Sequence, residues 1–240
     1  MARATEADVR VATHSDAGAI TILLRNAPFS HIHADWHYAD TWLGSPSFVV
    51  VPASDSDLNE GSLSSRLFGP RKNLAACLAV AADPKPAAWV RVAAITEKTE
   101  VREIMASMLS AVAGPLREED TTQIAWLLVE EWPETWLPDL GFEKINEVIT
   151  YRKLGTDAPR ITLPADLAIR PAETADLEAL AEIESRAFES LWQHSLQGLS
   201  LAWQQTISFD VAWVGETPVG FQFSSSTLQG AHLSRITVDP

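Results

Sequence analysis

Residues Val9 to Ile20 (VRVATHSDAGAI) align without gaps to Ile169 to Leu180 (IRPAETADLEAL) at an offset of 160. A chain that repeats itself folds the same unit twice, so this match constrains its architecture more than any single motif. Arg10, Ala12, Asp16 and Ala19 recur as Arg170, Ala172, Asp176 and Ala179. A weaker match at an offset of 144 sets Leu74 to Thr96 against Pro218 to Pro240, with Arg91 opposite Arg235. Trp42 and Phe48 fall opposite Trp203 and Phe209 in the same order.

Each copy begins with a short strand, Val9 to Ala12 or Leu167 to Pro171, that runs into a helix with Asp16 or Asp176 in its first turn, where the helix dipole favours an anion. Thr174 is the expected cap of the second helix. Leu180, Ile183, Ala187 and Leu191 give that helix one apolar face for a sheet. Irregular aromatic segments follow (Phe29 to Leu43; Phe188 to Gln205), then strands at Phe48 to Val51 and Phe209 to Val214. Gly215 and Glu216 turn the second copy into Val219 to Ser224. The first copy inserts a polar loop, Ala53 to Lys72, before the strand Leu74 to Ala81.

Only the first copy continues past its fourth strand. Val101, Ile104, Met105, Met108, Leu109 and Val112 form a helical stripe expected to stop at Gly114 and Pro115. Ile124 to Val129 is the next expected strand, Pro133 to Leu140 a short helix, and a strand pair beginning at Gly141 and Phe142 closes near Tyr151. The expected division is a complete unit over 1–155, a proline-containing linker over 156–166, and a half unit over 167–240. The fold class is α/β (α+β in some schemes), with mixed, largely antiparallel sheet flanked by helices.

Composition narrows the function. The net charge is −14, from 18 Lys plus Arg against 32 Asp plus Glu, which repels nucleic acid and anionic lipid. Cys77 is the only cysteine, so an intrachain disulfide and a cysteine metal cluster are both excluded. There is no membrane-length apolar run, and a cytoplasmic location is expected.

Val219, Gly220 and Phe221 are similar to the start of the third strand of the GNAT superfamily of N-acetyltransferases, and Arg235 to Pro240 (RITVDP) resembles its fourth. Leu140, Gly141, Phe142 and Glu143, with Tyr151 and Lys153, resemble its C-terminal strands. The resemblance covers residues 8 to 240 as a tandem arrangement, one complete copy followed by half of another. It implies transfer of an acetyl group from acetyl-CoA, as co-substrate, to a small-molecule or peptide amine by direct attack. It also implies that the fourth-strand main chain holds the pantetheine arm, and that a glycine loop at a helix N-terminus holds the pyrophosphate.

By that resemblance the cofactor-binding residues are Ile236, Thr237 and Val238. The first copy departs from the pattern: Thr96 to Val101 contains no glycine, and Leu137 stands where the family usually has the tyrosine that protonates the thiolate. The second copy reaches Pro240 before the loop would begin. No catalytic residue is assigned, and weak or no turnover is expected of these 240 residues. The alternative is a noncatalytic ligand-binding or protein-interaction module on the same scaffold. An exposed fourth strand invites pairing, so cover from the first unit or from a second chain, as a homo-oligomer through the half domain, is expected.

Other residues carry two readings each. His31, His33, Asp35 and His37 alternate, as a metal site or an acceptor contact would want, but solvated or locally bonded histidines are the default and no metal ligand is assigned. Trp36, Trp42, Trp192 and Trp203 line an acceptor pocket or, by preference, pack in the core. Glu130, Glu131 and Glu134 are a general base region or a solvated strand end. Cys77 is read as a small buried residue with an unreactive thiol.

Overall fold

A computed structural model describes residues 8–33, 39–53, 73–96, 101–155, 157, 160–227 and 230–240. Expectations on Asp35, Trp36, His37, the 54–72 insertion and residues 97–100 lie outside them.

The first sheet contains β1 (Arg10–Val11), β2 (Phe29–Ile32), β3 (Phe48–Pro52), β4 (Leu74–Ala81), β5 (Ala87–Ile95) and β6 (Gln123–Ala125). Its order is β1-β3-β4-β5-β2, with β6 also pairing β5. Strand β5, AAWVRVAAI, is buried along its whole length, as a central strand covered on both faces should be. On one face Ile20 and Leu23 of helix α1 (Ala17–Asn26) pack over Phe48, Val50 and Val92. Helix α1 stops at Ala27 because Pro28 holds the preceding residue extended. On the other face, helix α2 (Val101–Glu118) packs Ile104, Met105, Met108, Val112 and Leu116 on Val49, Leu78 and Val90.

Helix α2 runs through the expected stop at Pro115. Proline there removes a bond to the carbonyl of Ala111, but Leu116, buried one turn beyond Val112, extends the apolar stripe and offsets the loss. After β6 the chain forms 3-10 turns at Trp132–Thr135 and Pro138–Leu140 rather than one short helix, and Gly141 at φ 84° closes the second. The expected C-terminal strand pair is not formed. Residues 142–155 contain no strand, and Ile145, Val148 and Ile149 are exposed, with Tyr151 90% exposed. A strand exists only within a ladder, and β6, ending at Ala125 rather than Val129, offers three residues of edge.

The second sheet is a meander of β7 (Leu167–Pro171), β8 (Ser208–Val214), β9 (Thr217–Thr227) and β10 (Gly230–Val238), in the order β10-β9-β8-β7. Helices α3 (Leu177–Ala187) and α4 (Leu196–Gln205) cover one face, where Leu180, Ile183, Leu199 and Ala202 meet Phe209, Val211, Phe221 and Phe223. The opposite face leaves Ile169, Leu233, Ile236 and Val238 exposed.

Arg10 and Asp16, on the one hand, and Arg170 and Asp176, on the other, form bidentate pairs with both bonds at 2.8 Å. Each aspartate also accepts the main-chain N–H three residues before it, from Thr13 and from Glu173. Asp176 rather than Thr174 thus satisfies the second helix start. The guanidinium beside each carboxylate holds its pKa below the ordinary value.

Candidate functional site

Ile236, Thr237 and Val238 lie on β10, the edge strand of the second sheet. The Asp239 N–H donates to Val219 O at 2.9 Å, and antiparallel alternation then points the N–H and C=O of Thr237 inward and those of Ile236 and Val238 outward. The side chains alternate at right angles to this: Thr237 is buried under the helices, while Ile236 and Val238 are 62% and 66% exposed on the open face. Gly220 lets β9 approach, since a Cβ there would lie 2.6 Å from Thr237 O. Among the described residues no strand pairs with the outer edge of β10.

The corresponding strand of the first sheet is closed. Along one edge of β5, β6 pairs in parallel at Ala87 to Trp89, and β2 pairs antiparallel from Val92 to Ile95. The His33 N–H, donating to Arg91 O at 2.9 Å, bridges the two stretches. The segment expected to be irregular therefore supplies a strand that fills the gap opening between β5 and β6.

Strand β2 is fastened at several points. His31, buried, shares a 2.8 Å bond with Glu130, in which Nδ1 donates because a carboxylate only accepts. The Trp132 indole donates to Ser30 O at 3.0 Å, and Phe29 rests on Trp132 and Trp136 with ring centroids 5.4 Å away. The structure thus joins the histidine segment to the acidic stretch after β6, two features the sequence left separate. No group of three or more metal-ligating side chains occurs among the described residues.

The sheets meet where Trp89 of β5 contacts Trp192 at 5.5 Å between centroids. Trp89, Trp126, Glu130 and Trp192 border a cleft of about 920 Å³. Trp42 packs partly against the α1 core, and Trp203 donates to Ala172 O while remaining partly exposed. Arg91, buried next to this junction, donates to Asp83 O at 2.7 Å, and its Nε has no partner among the described residues. Burial lowers its pKa to about 10. Cys77 is fully buried, and desolvation pushes its thiol up to about 12, so it is unreactive.

Glu184, on α3, is a site residue that sequence reasoning missed. It is fully buried and accepts from Arg235 Nε at 2.9 Å, from a second Arg235 nitrogen, from Thr237 Oγ1 at 2.7 Å and from His194 N at 3.1 Å. Burial by itself would raise its pKa, but bonds from His194, Arg235 and Thr237 outweigh that and hold it at about 2. Desolvation lowers the pKa of His194, and the charges of Arg235 and Arg91 act in the same direction. A signal existed in the sequence: position 184 falls on the same helical face as Leu180 and Ile183, where a carboxylate is costly unless paired.

Mixed, largely antiparallel sheets flanked by helices give the chain a GNAT-like α/β fold. It is similar in structure to a GCN5-related N-acetyltransferase from Sphaerobacter thermophilus, with a TM-score of 0.54 and 14% sequence identity. The match covers 99% of this chain and 77% of that one, and at this identity it is a likeness of fold. No protein-family model matches the chain, and no curated protein does. Among the described residues no helix is long and apolar enough to cross a membrane.

Proposed function

We propose that the chain is a tandem GNAT-type scaffold for acetyl transfer from acetyl-CoA to a primary amine, in which the second sheet carries the cofactor strand and the first supports it. The observation behind this is the contrast between the two fourth strands: β10 presents outward main-chain groups at Ile236 and Val238, while the same edge of β5 is occupied by β2. The equal Arg10–Asp16 and Arg170–Asp176 pairs support the tandem reading. The outward N–H groups of β10 suit the amide and thioester carbonyls of a pantetheine arm, and acetyl-CoA would supply the activated acyl group. The first unit lacks both the loop glycine and the tyrosine, so turnover by these 240 residues is expected to be weak or absent.

Calorimetry with acetyl-CoA tests this. Saturable binding at no more than one site per chain is expected, and it should be lost in Ile236→Pro. Proline at 236 deletes an outward N–H and leaves the inward ladder intact, as edge positions allow. Two sites per chain, or binding unaffected by Ile236→Pro, would refute the assignment to β10.

A second reading, a noncatalytic interaction module, draws on the open edge of β10 and the exposed apolar residues of 142–155. Unguarded edges pair with other chains. Sedimentation distinguishes the readings: a stable oligomer without acetyl-CoA binding favours the module, and a monomer that binds acetyl-CoA favours the transferase.

A further inference from the structure

We infer that Glu184 is a positioning residue for β10, a buried anion that fixes the helix-covered face of the strand whose outer edge, at right angles to that face, the proposed cofactor would use. Its purpose rests on the acetyl-transfer proposal, but its geometry does not. Arg235 and Thr237 flank Ile236, and both donate to Glu184 from the helix-covered face. Each carboxylate oxygen accepts two bonds: Oε1 from Arg235 Nε and Thr237, Oε2 from Arg235 and the His194 N–H. One side chain thereby ties α3, β10 and the segment entering α4 together. Arg235 is held further by donating to Trp192 O at 2.7 Å and by lying 3.6 Å over the Phe188 ring.

The first unit supplies the contrast. At the offset of 160, position 184 corresponds to Leu24, and at the offset of 144 Arg235 corresponds to Arg91. Arg91 reaches only a main-chain oxygen and has no carboxylate clamp, and its strand has β2 along the opposite edge. The strand without a clamp is paired along both edges; the strand paired along one edge among the described residues is held by a clamp. A strand edge with no ladder along it frays, and among the described residues the outward main-chain groups of 233–238 have none. Glu184 restrains β10 through side chains and so leaves the outward main-chain groups uncovered.

Amide hydrogen exchange measured by mass spectrometry tests the inference. In Glu184→Gln, exchange over 233–238 should quicken by about tenfold, with 167–171 and 208–214 within about twofold of wild type. Unchanged β10 exchange overturns the inference, and so does equal acceleration of all four strands, which is the mark of a merely structural carboxylate. Should Glu184→Gln fail to fold, Thr237→Val removes one clamp bond at constant shape and carries the same criterion with a smaller effect. Acetyl-CoA calorimetry on both proteins forms the second arm. If wild type binds, Glu184→Gln should weaken binding by about tenfold, while absence of wild-type binding removes the acetyl-transfer proposal and leaves the exchange result to decide the clamp.

Discussion

Two arginines aligned at the offset of 144, Arg91 on β5 and Arg235 on β10, illustrate how context sets the contribution of a buried charge. Arg235 neutralises Glu184, so Arg235→Met would leave a buried carboxylate uncompensated, and a loss of about 3–5 kcal/mol is expected in urea unfolding. Arg91 has no carboxylate within ion-pair distance among the described residues, and the charge of Asp83 offsets only part of its desolvation. Arg91→Met should therefore leave stability unchanged or raise it, by up to about 2 kcal/mol in the same measurement. A loss comparable to that of Arg235→Met would mean that Arg91 has a role in holding the junction. Gly220→Ala is expected to cost about 1–3 kcal/mol, because the contact at 2.6 Å is with main chain and cannot rotate away.

At the scale of elements, what could be read from the sequence was what local chemistry decides. The recurrence of Arg10 and Asp16 as Arg170 and Asp176 marked a strand running into a helix start in each copy, and both form; the ion pair that joins the two residues is what the structure adds. Strand β2 was illegible because it is only four residues, between Pro28 and the histidine run, and its existence depends on β5 some sixty residues later, from Ile95 to Val92. The strand pair expected from Gly141 and Phe142 to Tyr151 misled for the converse reason: the local motif is present, but no ladder receives it. Helix α2 misled at Gly114 and Pro115 because the buried Leu116 outweighs a local stop signal. Replacing that proline should show the conflict directly. Pro115→Ala restores a donor to the helix interior and is expected to raise the melting temperature, with a gain of about 1–3 kcal/mol. No change would mean that the first unit unfolds without opening α2.

Across the whole molecule, Glu184 and His194, desolvated groups whose pKa is lowered from values in the acid range, lie on one side, and this should make the two sheets respond differently to acid. The pairs at Asp16 and Asp176 occur once beside each sheet and so do not distinguish the two. Glu184 and His194 both belong to the second sheet. The folded pKa of His194 is lowered from 6.5, so its contribution to stability is complete above pH 6.5 and fades as pH falls through the folded value. That of Glu184 is lowered from 4.5 to about 2, so its contribution is complete above pH 4.5 and is lost between there and pH 2. The second loss amounts to about 3 kcal/mol at 1.36 kcal/mol per unit. Both signs agree: acid weakens the second sheet first. Hydrogen exchange on the intact chain at pH 7, 5 and 3.5, corrected for intrinsic rates, should show protection falling in β7 to β10 while β3 to β5 stay protected. Glu184→Gln should remove most of the change between pH 5 and 3.5. Parallel loss in both sheets would mean instead that the junction at Trp89 and Trp192 couples them into one cooperative unit.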